Sequence, residues 1–90
     1  SAIQCDFYKN TSIEQLEQLM KLSSKTDCTS ACAALNAHSA CIVSMNQHLE
    51  CLKQANSEDQ SISFLSLTVD RMNNGLNRRK DGVPAQCSCS

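Results

Sequence analysis

From Cys28 to Ala55 the chain reads CTSACAALNAHSACIVSMNQHLECLKQA, with neither Gly nor Pro to interrupt it. Within it Cys28, Leu35, Ile42 and Leu49 recur every seven residues, and Ala31, His38, Met45 and Leu52 keep the same period three positions later. Side chains three, four and seven apart share one face of an α-helix, so this is the pattern of a long helix with one apolar seam. Asp27 stands where its N-cap belongs. The expectation is a helix over 28–55, with any bend or break falling at Asn36 to Ser39, where small polar residues interrupt the stripe.

Two shorter helices flank this one. Upstream, Thr11-Ser12-Ile13-Glu14-Gln15 has a hydroxyl residue followed three positions later by an acid or amide, and Ile13, Leu16, Leu19 and Met20 follow at helical spacing. This predicts a helix over 12–23, ending near Leu22-Ser23-Ser24. Downstream, Ser57-Glu58-Asp59-Gln60 repeats the capping pattern, and Ile62, Leu65, Val69, Met72 and Leu76 step by 3, 4, 3 and 4. A third helix is predicted over 58–74, closed by Asn74-Gly75 as its C-cap. The remainder, from Asn77 through Val83-Pro84 to Ser90, reads as an ordered tail. With no strand alternation, the fold class expected is all-α: a small disulfide-stapled bundle of three amphipathic helices with an ordered C-terminal tail, one domain over 1–90.

A bundle of this size needs staples. Apart from eight Ala and seven Cys, the 90 residues hold only 22 apolar side chains, three of them aromatic, to offset the ordering entropy of the whole chain. Seven Cys in so short a chain read as a disulfide framework built in an oxidising compartment, so a secreted, extracellular protein is expected, its start at Ser1 consistent with a removed leader. Asn10-Thr11-Ser12 is an N-glycosylation sequon and makes Asn10 the expected acceptor. No apolar run approaches the roughly 20 residues of a membrane span, and a net charge of −1 argues against a nucleic-acid partner held by its phosphates.

Cys28 and Cys32 are one helical turn apart on one face, and Cys87 and Cys89 share a face if the tail is extended. The two pairs match, as Cys28 to Cys87 and Cys32 to Cys89 or in the crossed arrangement. This C-x3-C with C-x-C resembles the cystine-stabilised helix of defensins and many arthropod venom peptides. The likeness covers Cys28, Cys32, Cys87 and Cys89, with 54 residues between the second and third of them, and it implies the local bridge geometry rather than the family. Cys41 and Cys51 form a C-x9-C similar to the helical hairpins of the mitochondrial intermembrane space, without the second copy. The C-x3-C is also similar to that of insect odorant-binding proteins, helical folds with six cysteines on a longer chain, whose C-x8-C near the C-terminus this sequence lacks.

Cys5, Cys41 and Cys51 remain. At about 100 degrees per residue Cys41 lies roughly 80 degrees, and Cys51 about 160 degrees, from the assumed centre of the seam. Cys41 is therefore expected to bridge to Cys5, leaving Cys51 outward to form an interchain disulfide in a two-fold homodimer. The competing arrangement has the helix breaking before Cys51, which then takes Cys5 and leaves Cys41 buried and reduced.

Chemistry-bearing groups are sparse. His38-x2-Cys41 and His48-x2-Cys51 have metal-ligand spacing but face different ways, and oxidised cysteines are not ligands, so no metal and no cofactor are expected. The acids Glu14, Glu17, Glu50, Glu58, Asp59 and Asp70 occupy polar helix positions or helix starts, so no catalytic pair and no enzymatic activity are expected. Arg78-Arg79-Lys80 is the one concentrated charge, read either as a solvated run after a helix end, as a contact patch for an acidic partner, or as a dibasic processing site. The preferred expectation is a secreted non-enzymatic ligand, toxin-like, pheromone-like or cytokine-like, that binds an extracellular receptor or channel through Arg78, Arg79 and Lys80. The alternatives are a carrier of a small hydrophobic ligand held between helices, lined by Leu35, Ile42, Met45, Phe64, Leu65, Val69 and Met72, and a disulfide-assembled structural component.

Overall fold

The computed structural model describes residues 2–23, 27–55 and 58–89. After a 3-10 turn at Ala2–Cys5 come three helices, α1 (Asp6–Met20), α2 (Cys28–Ala55) and α3 (Ser61–Gly82), with no strand among the described residues. At 1.5 Å per residue α2 is about 42 Å long, which nearly spans the 46 Å long axis of a molecule only 19 Å across its other two. It is the spine, and α1 and α3 both dock on it.

The expected long helix forms without a break at Asn36 to Ser39. Asp27 caps it as anticipated: its carboxylate accepts from the Ser30 N–H (2.9 Å) and the Ser30 hydroxyl (3.1 Å). Both bonds hold the Asp27 carboxyl below the usual carboxylate range.

The outer helices depart from expectation at their ends. The first helix starts at Asp6 rather than at residue 12, because Thr11 and Ser12 do not cap it; their hydroxyls bond back to the Phe7 (2.8 Å) and Lys9 (2.8 Å) carbonyls within the helix. Ser12 is buried, so its small side chain serves close approach instead. The helix also ends at Met20, short of Ser23, while Ser24 lies outside the described residues. The third helix starts at Ser61, not 58, with Asp59 receiving the Ser61 N–H (2.8 Å) and hydroxyl (2.6 Å); Ser57 of the expected capping box lies outside the described residues. At its other end α3 runs through Gly75 to Gly82, so that Asn77 to Gly82 are helix rather than tail. Gly75 has no positive φ and caps nothing.

Every cystine has one half on α2. Cys28–Cys87 and Cys32–Cys89 pin the tail to its N-terminal end, in the uncrossed arrangement, and Cys5–Cys51 pins the start of α1 to its C-terminal end. The bridge of Cys5 to Cys41 is therefore overturned, and with Cys51 oxidised within the chain the interchain disulfide is overturned as well. Cys41 is free and fully inaccessible.

The error lay in the direction taken as the seam's centre. Because α2 is covered by two helices, its buried arc is wide: it runs from Ser44 on one side through Ala34, Cys41, Met45 and Leu52 to Ile42 on the other. By helical rotation Cys41 lies close to the middle of that arc and Cys51 at its α1 edge. The competing pairing holds, without the helix break it was thought to need.

At the confluence Cys41, Met45 and Val69 form the buried core, with Leu16, Leu65 and Met72 packed against it. No described helix is long and apolar enough to cross a membrane.

Candidate functional site

The face of α3 turned away from α2 carries exposed apolar side chains and exposed cations on one helix, whereas the exposed Phe7, Ile13 and Met20 of α1 are apolar. Ile62, Leu65, Val69, Met72 and Leu76 point inward or are half-buried, as their 3–4 spacing requires. Phe64, Leu67, Arg71 and Arg78 follow a second 3–4 path on the opposite side of the same helix. Phe64 is 72% exposed and Leu67 47%, and both arginines are exposed. Apolar side chains thus occupy the start of this outer stripe and cations its end, where the helix dipole also favours positive charge.

The expected contact residues Arg78, Arg79 and Lys80 are all exposed and lie in the last turns of α3 rather than in a tail. Arg79 is different. Its Nε–H donates to Nδ1 of His38 on α2 (3.1 Å), so it is a structural link between helices. Phe64, which the sequence places in a carrier's lining, is instead exposed, as are Leu67 and Arg71, neither of which stood out in the sequence. The signal that finds them is the second 3–4 series, visible in the sequence once the first is assigned to the core.

His38 is buried, and both ring nitrogens are engaged: Nε2 lies 2.8 Å from the Met72 carbonyl oxygen, opposite the Arg79 contact. The ring rests over Gly75, where a Cβ would come within 3.2 Å of Cε1. The other His-x2-Cys unit is equally unsuited to metal, because Cys51 is oxidised. Among the described residues no three His, Cys, Asp or Glu gather in a way that could hold an ion. Burial pushes the Cys41 thiol up, which keeps it protonated and inert.

A groove of about 350 Å³ opens beside the Cys5–Cys51 bridge, lined by Tyr8, Gln47, Glu50, Cys51 and Gln54. One aromatic ring among amides and a carboxylate is poor chemistry for an apolar ligand. The lining expected of a carrier is placed elsewhere: Met45 and Val69 belong to the packed core, while Phe64 faces solvent.

Asn10 is exposed on α1, whereas Ser12, whose hydroxyl completes the sequon, is buried. Comparison with protein-family models, with curated proteins and with solved structures gives no match.

Proposed function

We propose that the chain is a secreted, non-enzymatic ligand that presents the outer face of α3 to an extracellular receptor or channel carrying acidic groups beside an apolar recess. The observation that carries this reading is the stripe of Phe64, Leu67, Arg71 and Arg78 on one face of a stapled helix. Leaving a phenylalanine 72% exposed wastes the free energy its burial offers unless a partner covers it. Aromatic and arginine side chains are also the types that dominate binding energy at interfaces. A helix fixed by two cystines at one end loses little further entropy on docking. Three cystines in 90 residues support the oxidising compartment in which such a partner would be met.

The experiment is binding of fluorescently labelled protein to intact cells of the source organism, with unlabelled competitors. Saturable binding displaced by the wild type, but not by a Phe64→Ser, Arg71→Glu variant of unchanged helicity and melting temperature, supports the reading. Equal displacement by both, or binding that never saturates, removes it.

A further inference from the structure

We propose that His38 is an acid-released latch between α2 and α3. A carbonyl oxygen can only accept, so the 2.8 Å contact with Met72 places the imidazole proton on Nε2. Nδ1 then carries the lone pair, and the Arg79 Nε–H donates to it at 3.1 Å. The latch thus holds in one state of the ring, the neutral Nε2–H tautomer. A proton arriving on Nδ1 converts the acceptor into a donor facing a donor, and sets imidazolium against the guanidinium that now donates to it at 3.1 Å.

The surroundings offer no compensation. From α3, Arg79 faces the ring directly, and Arg78 is the other charge at hand, its Nη2 lying 3.7 Å from the Cβ position of Gly75 on which the ring rests. The half-buried side chains in the second half of α1 are Gln15, Leu16 and Leu19, none of which titrates. The tail over 83–89 has no ionisable side chain outside its cystines. On α2 itself the nearest titratable group on the same face is the Cys41 thiol, held protonated by burial. Both nitrogens are already used, so no carboxylate can take the new proton without displacing Met72 or Arg79.

Release stays local. Cys28–Cys87 and Cys32–Cys89 keep the tail attached to α2, so what can part from the spine is the last half of α3, from Met72 to Gly82. Opening there unties Arg79 beside Arg78 and Lys80. Acid would therefore enlarge the basic cluster as it loosens the helix that carries it. The latch does not depend on the ligand reading above; it stands on the geometry of three residues.

The test is nuclear magnetic resonance on the oxidised full chain between pH 7.5 and 4.5, reading imidazole nitrogen shifts of His38 and amide exchange corrected for its intrinsic pH dependence. The expected result is an Nε2–H tautomer at pH 7.5, and at least a tenfold loss of protection over 72–82 as His38 takes its second proton, with α1 protection unchanged. His48→Gln should keep this response. An Nδ1–H tautomer at neutral pH, a ring that stays neutral throughout, or a protonated ring with protection over 72–82 intact would each overturn the proposal.

Discussion

Gly75 on α3 lies so close under the imidazole of His38 on α2 that an added Cβ would sit 3.2 Å from Cε1. The ring cannot retreat freely, because Met72 and Arg79 hold its two nitrogens from the same helix. A glycine in mid-helix costs roughly 0.5–1 kcal/mol relative to alanine, and here it makes the seat for the ring. Gly75→Ala is accordingly expected to lower the melting temperature, with the contact outweighing the gain in helix propensity. In a His38→Ala background the same substitution should stabilise by about 0.5–1 kcal/mol, the propensity alone. Thermal unfolding of the four proteins of this cycle checks both signs; stabilisation in both backgrounds would show that the ring yields at no cost.

That seat also explains why the end of α3 was misread. Asn74-Gly75 carries a C-terminal signal, and nothing in the linear order says that a histidine 37 positions upstream needs the space. The periodic interior of each helix, the Asp27 cap and the pairing of Cys28 and Cys32 with Cys87 and Cys89 were legible because each rests on neighbours three or four apart or on matched spacings. Which half-cystine Cys5 would take was not, because that depends on how many helices cover α2 and so on where its buried arc is centred. The outer face of α3 was half legible: Arg78 and Lys80 stand out as charges, whereas Phe64 and Leu67 look like core until the inner stripe is assigned.

The basic triplet should divide under mutation. Arg78→Ala and Lys80→Ala remove exposed cations that make no hydrogen bond or ion pair among the described residues, and exposed charges contribute little to folding. Their melting temperatures should match the wild type. Arg79→Ala leaves His38 Nδ1 without its donor and should cost on the order of 1 kcal/mol. Equal stability of all three variants would mean that the Arg79 link carries no weight.

The cystines should be unequal too. Either tail bridge closes a loop of nearly sixty residues, 59 for Cys28–Cys87 and 57 for Cys32–Cys89, and in the chain-entropy account such a loop contributes about 4 kcal/mol. Once one is made, the other closes only the small ring through residues 28–32 and 87–89. Replacing Cys32 and Cys89 by Ser should therefore cost much less than replacing Cys5 and Cys51, whose bridge spans 46 residues and has no companion. Denaturant midpoints of the two double variants decide this.

Cys41 should be silent in the folded protein. It is inaccessible and sits among Met45, Val69 and Leu16, so a thiol reagent is expected to titrate no group in the native state and one in denaturant. Without reductant the chain should migrate as a monomer of 9.8 kDa. Cys41→Ser places a hydroxyl in that apolar centre and should destabilise by about 1–3 kcal/mol if no partner reaches it. A thiol that reacts natively at the denatured rate would show that the centre of the bundle opens.

Stability should fall in two steps on acidification. Burial first, and then the charge of Lys9, hold the His48 imidazole below its ordinary range, against the weaker opposite pull of Asp6 and Asp59. The unfolded chain therefore binds that proton more readily than the folded one, and the sign follows: the contribution of His48 is complete above its unfolded value near 6.5 and is lost as the pH falls from there through its lower folded value. Ser30 bonds hold Asp27 low, and Ser61 bonds hold Asp59 low, relative to a reference of 3.8. Their contributions are complete above that reference and disappear below it, as the two helix-start carboxylates protonate and release the N–H groups they accept from. Denaturation followed from pH 8 to 2.5 should show a plateau above about 7.5, a decline that begins near the ordinary imidazole value and runs below it, and a second decline below about 4. His48→Gln should shrink the first decline and leave the second in place. A stability that rises between pH 7.5 and 5.5 would reverse the sign assigned to His48.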